Sequence, residues 1–280
     1  MHTVKAALEE LMASMDRVDA QVIMAEVLGV NRAWIAANPM RILTETEDAK
    51  IDALAVQRAM GRPVAYLLRR REFYGREFEV GDDVLIPRPE TETLIEAALP
   101  RLLPRASCLD LGTGSGAIAV TIACQRPAAR VVATDVSAAA LEIAARNAGK
   151  HGCAGRIEFV RGSWYQPVGD RRFDLVLSNP PYVAAGDPHL GRGDLRFEPP
   201  GALTDGSADG LDSIRAIVAG APLHLVPGGW LLFEHGYDQA EGARRLLEAA
   251  GFEDIVSLPD LAGIPRVAGG KIRIEPGRQP

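Results

Sequence analysis

The sequence contains few of the residues from which disulfide frameworks, metal centres and membrane spans are built. Its 280 residues include three cysteines and five histidines, and a small, odd number of cysteines indicates reduced, structural thiols. No apolar stretch approaches the roughly 18 residues that a membrane-spanning helix needs. The first residues are typical of an amphipathic helix and not of a signal peptide. We therefore expect a soluble, cytoplasmic protein that uses no metal ion.

An excess of positive charge is also missing. The formal net charge is −6, whereas a protein held on nucleic acid by phosphate contacts usually presents a basic face. A solvated hairpin edge is the simpler interpretation of the cationic run from Arg69 to Arg71. The composition therefore predicts no direct nucleic-acid binding. With 47% hydrophobic residues, the chain can bury a substantial core, and its length favours two domains.

A glycine-rich turn joins a predicted strand, residues 107–111, to a predicted helix that begins at Ala117. The residues of the turn are Gly112, Thr113, Gly114, Ser115 and Gly116. Glycines permit a tight turn and let the backbone approach a ligand closely. The next predicted strand, 130–134, ends in Asp135, whose carboxylate could accept hydrogen bonds from both hydroxyls of a ribose. The glycine pattern also fits dinucleotide enzymes, although its spacing from Asp110 favours S-adenosylmethionine.

The most informative motif is Asn179-Pro180-Pro181-Tyr182, which follows the apolar run 173–178. Two prolines remove two backbone donors, so strand pairing ends there. The side-chain oxygen of Asn179 and the carbonyl of Pro180 could accept both hydrogens of a planar NH2 group, while the ring of Tyr182 covers one face. This arrangement resembles that of the amino-methyltransferases, and it favours S-adenosylmethionine as the cofactor of the glycine turn.

The glycine turn and this tetrapeptide are predicted to lie on neighbouring strands. They are separated by roughly sixty residues, the usual spacing of strands 1 and 4 in a doubly wound sheet, and ligands bind where the strand order reverses between those strands. A methyl donor and an acceptor nitrogen would meet there. Trp164 follows a third predicted strand, 157–160, and is either a border of the adenine site or an ordinary core residue.

Several segments together resemble the bacterial release factor glutamine methyltransferases. They are residues 87–92 (Pro-Arg-Pro-Glu-Thr-Glu), the glycine turn, the tetrapeptide, residues 198–203 and residues 209–212. The resemblance covers nearly the whole chain. It implies an α/β fold, namely a Rossmann-like class I methyltransferase domain with an N-terminal helical bundle. It also implies transfer of a methyl group from S-adenosylmethionine to the glutamine side-chain nitrogen in the Gly-Gly-Gln motif of class-1 peptide chain release factors.

The resemblance assigns roles to individual residues. The expected catalytic residues are Asn179, Pro180 and Tyr182, and Pro181 joins them in binding the substrate. The expected cofactor-binding residues are Gly112, Thr113, Gly114, Ser115, Gly116, Asp135, Trp164 and Asn179. No metal ligand is expected.

The chain is predicted to contain three parts. Residues 1–72 are predicted to be helical because apolar residues such as Val4 and Leu8 recur at helical spacing, and the resemblance implies that this domain docks the release factor. Residues 73–86 have the alternation and glycines of a short hairpin linker. Residues 87–280 form the catalytic domain. A monomer is the expected state.

Three further expectations concern the catalytic domain. The strands 230–234, 253–258 and 266–274 are expected to end the sheet with an antiparallel strand. The long segment 183–210, rich in glycine, proline and aspartate, is expected to border the substrate entrance and to become ordered on docking. The segment 87–91 is expected to begin a helix and to form a wall of the active site.

One residue departs from the family pattern. Arg69 stands where a glycine is expected, which puts in doubt the turn before the hairpin. This position lies outside the chemical motifs.

Two other functions fit parts of the sequence. Amino-methylation of DNA or RNA would use the same tetrapeptide, but the acidic charge and the lack of a basic recognition domain disfavour it. A nicotinamide oxidoreductase or a non-catalytic nucleotide-binding module would explain the pattern from Gly112 to Ala117. No residue pattern supplies an acid or base for hydride transfer, so that hypothesis is the weakest.

Overall fold

A computed structural model describes residues 2–273 and separates the chain into two compact units between Arg70 and Arg71. The two units have separate hydrophobic cores. The predicted division into a docking domain (1–72), a linker (73–86) and a catalytic domain (87–280) assigns roles to these segments, and those roles stay a prediction.

The first unit is helical, as its apolar spacing predicts. Its helices are α1 (Val4–Met12), α2 (Arg17–Leu28), α3 (Arg32–Ala37), α4 (Glu45–Ala59) and α5 (Val64–Leu67). Side chains such as Leu11, Ile23 and Leu43 are fully buried between these helices. Local signals set the helix ends. Gly29 ends α2 in the left-handed conformation, with φ of 66°, and Thr44 begins α4 with a capping box to Glu47.

A hairpin of β1 (Arg70–Phe73) and β2 (Arg76–Glu79) starts at the boundary residue Arg70 and opens the second unit. Phe73 and Phe78 place their rings in the core of this unit at a centroid distance of 6.0 Å. Arg70 and Arg71 are exposed, so the predicted solvated hairpin edge is confirmed.

The centre of the second unit is a mixed sheet. Its strands are β3 (Ser107–Leu111), β4 (Arg130–Asp135), β5 (Ile157–Arg161), β6 (Phe173–Ser178), β7 (Leu225–Glu234), β8 (Phe252–Pro259) and β9 (Pro265–Ile272). In the described residues their order is β5-β4-β3-β6-β7-β9-β8. The strands from β5 to β7 pair in parallel, and β9 runs antiparallel between β7 and β8. The predicted fold class and the reversal of strand order between β3 and β6 are confirmed.

Helices cover both faces of this sheet. They are α6 (Glu92–Ala98), α7 (Ala117–Gln125), α8 (Ala138–Lys150), α9 (Pro200–Leu203), α10 (Asp212–His224) and α11 (Ala240–Ala249). Successive strand residues point to opposite faces, so Cys108 joins the core under α6, α7 and α8, while Leu109 joins the core under α10 and α11. Burial on both faces explains why the parallel strands are continuous apolar runs.

The strand predictions differ from the structure mainly at two ends. β7 begins at Leu225, ahead of the predicted start at Trp230. Leu225 pairs with Phe173, and a register shift separates this pair from the regular ladder. The intervening Pro-Gly-Gly is typical of a turn, which is why the sequence did not predict the longer strand. The predicted last strand extends to Ile274, which lies outside the described residues.

The turn before the hairpin contains a left-handed residue that is not glycine. Arg69 is exposed and has φ of 55°, a conformation that costs an L-residue about 1–2 kcal/mol relative to glycine. The departure from the family pattern at this position therefore carries a backbone cost.

Replacing Arg69 with glycine should stabilise the protein. Relief of the left-handed strain exceeds the extra backbone entropy of glycine in the unfolded chain, so we expect Arg69→Gly to raise the free energy of unfolding in urea by about 0.5–1 kcal/mol. The matched control is Arg71→Gly, in the exposed strand β1, which should lower it by about 0.5–1 kcal/mol. A loss of stability in Arg69→Gly would contradict this account.

Candidate active site

A cavity of about 400 Å³ lies at the carboxyl ends of β3, β4 and β6. Several predicted site residues line it, namely Gly112, Thr113, Gly114, Ser115, Asp135, Trp164, Asn179 and Pro181. The predicted wall contributes Pro87 and Thr91, and the predicted entrance segment contributes Pro199, Gly201 and Ala202. The structure thus brings the two motifs to one cavity. Gly116, Pro180 and Tyr182 belong to the same turns but do not line it.

The glycine turn has the backbone geometry that only glycine adopts easily. Gly112, Gly114 and Gly116 have φ of 71°, 54° and 81°. A Cβ on Gly116 would lie 3.0 Å from the Cβ of Ala144 in α8, whereas one on Gly114 would meet no atom within 4 Å. Gly116 is therefore required for close packing, and Gly114 leaves its backbone open to the cavity.

Asp135 links the turn to the end of β4. One carboxylate oxygen accepts a hydrogen bond from the backbone N–H of Gly114 at 2.9 Å, and the other accepts from the backbone N–H of Ser137 at 2.9 Å. Each carboxylate oxygen has a further lone pair. Asp135 thus fixes the turn and still has acceptor capacity at the cavity, as hydrogen bonding to a ribose requires.

Trp164 is held in an unusual backbone conformation. Its φ is 45°, which is rare for a bulky side chain. Its carbonyl accepts a hydrogen bond from the hydroxyl of Thr134 at 3.3 Å. The ring packs against the core under α10 and α11 and also lines the cavity, close to Gly112. Backbone strain of this kind is concentrated at functional sites, and the placement suits a border for a flat ligand.

Asn179 belongs to a chain of buried hydrogen bonds. Its Nδ2 donates to the hydroxyl of Thr91 at 3.1 Å, and this hydroxyl donates to Oε2 of Glu234 at 2.6 Å. The other oxygen of Glu234 accepts from the hydroxyl of Tyr182 at 2.9 Å. The first and last residues of the Asn-Pro-Pro-Tyr motif are thus connected through one carboxylate.

Burial alters the proton affinity of two groups in this chain. Glu234 is 1% exposed, and desolvation raises the pKa of its carboxyl above the ordinary value, while the bonds from Thr91 and Tyr182 partly offset this. Desolvation and the neighbouring Glu234 raise the pKa of the Tyr182 phenol well above its ordinary value. The phenol therefore remains a hydrogen-bond donor at neutral pH.

A second buried carboxylate holds the entrance segment. Glu198 accepts a hydrogen bond from the backbone N–H of Ile86 at 3.0 Å and forms an ion pair with Arg88. The side chain of Glu198 is fully buried and that of Arg88 is 30% exposed. The predicted wall and the predicted entrance segment are therefore joined beside the cavity.

Known proteins share both parts of this chain. The model of the Methyltransferase small domain matches residues 90–191, and that of the PrmC N-terminal domain matches residues 1–68. A release factor glutamine methyltransferase of Xylella fastidiosa is 51% identical over 91% of this chain and 93% of its own length. A release factor glutamine methyltransferase of Burkholderia pseudomallei is 51% identical over 95% of this chain and 96% of its own length. One of Vibrio cholerae is 41% identical over 97% of this chain and 96% of its own length. The chain belongs to the release factor glutamine methyltransferase family.

Solved structures of more distant proteins support the fold of this family member. A methyltransferase of Pyrococcus furiosus superposes with a TM-score of 0.55 at 17% identity, covering 80% of this chain and 100% of its own. A 16S rRNA N2 G1207 methyltransferase of T. thermophilus superposes with a TM-score of 0.53 at 21% identity, covering 73% of this chain and 50% of its own. At such identities these likenesses show the methyltransferase fold alone. No helix within residues 2–273 is both long and apolar enough to span a membrane.

Family membership agrees with the sequence-based assignment, but sequence reasoning missed the roles of two residues. Thr91 was expected as part of a helix start and of a wall of the site, with no hydrogen-bonding role, and Glu234 was recognised only as the end of a strand. Burying a carboxylate costs free energy, so an acidic residue at the end of a buried apolar strand is unusual. The carboxyl edge of a parallel sheet, where this residue lies, is also where ligands bind. That signal could have identified Glu234. No sequence signal pairs it with Thr91.

Asp110, which comes just before the glycine turn, is fully buried. One of its oxygens accepts from the Thr113 hydroxyl at 2.6 Å and from the Ala119 N–H at 3.2 Å, and the other has no partner among the described residues. Desolvation is the main cause that raises the pKa of its carboxyl to about 7.

The substitution Asp110→Asn should therefore change how stability depends on pH. Between about pH 4 and pH 7 the folded wild type binds more protons than the unfolded chain, so this group lowers the free energy of unfolding as pH rises. The variant lacks that loss. We therefore compare the free energy of unfolding of the variant with that of wild type, measured by urea titration without cofactor, at pH 5 and at pH 8. The difference, variant minus wild type, should be at least about 1.4 kcal/mol larger at pH 8 than at pH 5. Asp52→Asn, on the surface of α4, controls for loss of a carboxylate, and an equal change in both variants would refute the explanation.

Proposed function

We propose that this protein transfers a methyl group from S-adenosylmethionine to the side-chain amide nitrogen of the glutamine in the Gly-Gly-Gln motif of class-1 peptide chain release factors. Relatives that are 40–51% identical over nearly their whole length are named release factor glutamine methyltransferases. The observation that carries the proposal is the position of Asn179 on the same cavity as the glycine turn. We also propose that the protein works as a cytoplasmic monomer that does not bind nucleic acid directly.

The cavity suits S-adenosylmethionine in size and in chemistry. Its volume of about 400 Å³ lies within the usual range for small-molecule sites. The open backbone at Gly114 would approach the ligand, Asp135 would accept hydrogen bonds from the ribose, and Trp164 would border the adenine. When bound, this cofactor supplies an electrophilic methyl group.

The Asn-Pro-Pro-Tyr segment would bind the acceptor amide. A primary amide nitrogen is a poor nucleophile because its lone pair is delocalised into the carbonyl, and positive charge develops on it as the methyl group arrives. The side-chain oxygen of Asn179 and the carbonyl of Pro180 would accept its two hydrogens and stabilise this charge, an effect of about 3 kcal/mol per group. Tyr182 would fix the amide plane, and alignment of bound reactants removes about 7 kcal/mol or more of the barrier. The methylated nitrogen is acidic enough to lose its proton without a strong base.

Methylation of DNA or RNA is the alternative, because other amino-methyltransferases share the tetrapeptide. Incubation of the purified protein with labelled S-adenosylmethionine should label a release factor. A release factor whose motif glutamine is replaced by alanine should stay unlabelled, as should DNA and RNA. Label in nucleic acid and none in the release factor would overturn the proposal.

Removal of the Asn179 side chain should separate transfer from cofactor binding. In Asn179→Ala we expect the methyl-transfer rate to fall at least 100-fold, because one acceptor oxygen is lost where charge develops. The dissociation constant of S-adenosylmethionine, measured by calorimetry, should rise only modestly. Arg130→Ala, at the exposed amino-terminal end of β4, is the control and should retain the wild-type rate. Turnover of Asn179→Ala within about threefold of wild type would disprove the role of Asn179.

The N-terminal helical unit is proposed to help hold the release factor.

The segment 183–210 is proposed to border the entrance for the release factor and to become more ordered when the release factor docks. Pro199, Gly201 and Ala202 lie on the cavity, while Arg192 is exposed. Tryptic cleavage after Arg192 should therefore slow at least about threefold when saturating release factor is added. Cleavage after the exposed Arg105, in the turn before the amino end of β3 and outside the N-terminal helical unit, gives the control rate for trypsin itself. If cleavage after Arg192 is as fast with bound release factor as without it, and binding is confirmed independently, the proposed ordering is wrong.

A further inference from the structure

Glu234 is a carboxylate in a place where the fold alone does not require one. It ends β7, is 1% exposed, and accepts hydrogen bonds from two hydroxyl groups, those of Thr91 and Tyr182. A buried carboxylate is costly unless its oxygens are satisfied. Apolar residues occupy the preceding positions of the strand, Leu231, Leu232 and Phe233, and are fully buried. The acid therefore interrupts a core at the edge that carries the cavity.

The hydrogen-bond chain has a defined direction. The Thr91 hydroxyl has one hydrogen, and it donates this hydrogen to Glu234 at 2.6 Å. Toward Asn179 it therefore offers only a lone pair, so the amide of Asn179 must present its NH2 group, as the 3.1 Å contact from Nδ2 requires. The side-chain oxygen of Asn179 is then turned away from Thr91 and left free to accept another hydrogen bond.

A flipped Asn179 amide would break this chain. Its oxygen would face the oxygen of Thr91, and the Thr91 hydroxyl could satisfy it only by releasing Glu234. One buried carboxylate oxygen would then lose its donor, which is more costly than losing a neutral hydrogen bond. Glu234 thus determines, through Thr91, which end of the Asn179 amide is available at the cavity.

The same carboxylate fixes the other end of the motif. Tyr182 donates its hydroxyl hydrogen to the second oxygen of Glu234 at 2.9 Å, and the backbone carbonyl of Tyr182 accepts from the side chain of Gln239 at 2.9 Å. Glutamine at position 234 could accept through only one of its two terminal atoms, because the other would be an NH2 group. Only a carboxylate accepts from Thr91 and Tyr182 together.

We propose that Thr91 and Glu234 are positioning residues for methyl transfer, which hold the side-chain oxygen of Asn179 toward the acceptor amide and fix Tyr182 at the other end of the motif. This inference rests on the proposed function. Neither residue donates or receives the methyl group; both act through the orientation of the motif.

The decisive variants are Thr91→Val and Thr91→Ser, measured with labelled S-adenosylmethionine and a release factor. Valine keeps the shape of threonine but removes the hydroxyl, so we expect kcat to fall about tenfold or more, while KM for the release factor and Kd for the cofactor stay within threefold. Serine keeps the hydroxyl and should restore most of the lost rate. Thr121→Val is the matched control, because Thr121 is equally buried in α7 and its hydroxyl has no hydrogen-bond partner among the described residues. It should keep the wild-type kcat.

Glu234→Gln tests the other link and should also lower kcat at least about tenfold without weakening cofactor binding. If this variant does not fold, the threonine pair decides alone. A kcat of Thr91→Val within threefold of wild type would overturn the inference. If kcat, cofactor affinity and melting temperature of Thr91→Val all fall together, or if serine does not restore the rate, Thr91 has a merely structural role. Either result would also overturn the inference. Failure of the proposed function is distinct, because wild type itself would then leave the release factor unlabelled.

Discussion

The register between β3 and β6 is the constraint on which the site depends. In this parallel pair Leu111 lies opposite Ser178, and the Ser178 hydroxyl donates to the Leu111 carbonyl at 2.7 Å. The next residues are Gly112 and Asn179, so the glycine turn and the Asn-Pro-Pro-Tyr motif leave the sheet side by side. A slip by one residue would turn each buried side chain of a strand to the opposite face. The apolar core on both faces of the sheet therefore fixes the relative position of the glycine turn and the Asn-Pro-Pro-Tyr motif, as the proposed transfer between them requires.

The site combines costly features that a fold selected for stability alone would avoid. Asp110 and Glu234 are carboxylates buried at the carboxyl ends of strands, and Trp164 has a left-handed backbone. Each feature lies at or beside the cavity and is held by hydrogen bonds from neighbouring elements. Arg69 has a similar backbone cost but lies outside the chemical motifs. Strain is thus not by itself evidence of function; its position relative to the cavity decides the interpretation.

The sequence predicted those parts of the site that are local along the chain. The strand, glycine turn and helix around Gly112 follow from short-range patterns, as does the end of β6 before Asn179. The chain from Asn179 through Thr91 to Glu234 could not be predicted in the same way. It joins the segment before α6 to the ends of β6 and β7, and the pairing depends on how these elements pack. The early start of β7 was missed for a similar reason, because tertiary pairing overrides the turn tendency of Pro-Gly-Gly.

The two prolines of the motif explain why orientation can be fixed in advance. Each proline restricts its own backbone, so the unfolded chain has less entropy to lose when Asn179 and Tyr182 are placed. The remaining freedom is in the side chains, and hydrogen bonds to Thr91 and Glu234 remove it. The conformational cost of alignment is then met during folding instead of during each encounter with substrate. In the proposed reaction, which needs no strong base, this preorganisation is the main contribution that the protein would make to the reactivity of a nucleophile as weak as an amide nitrogen.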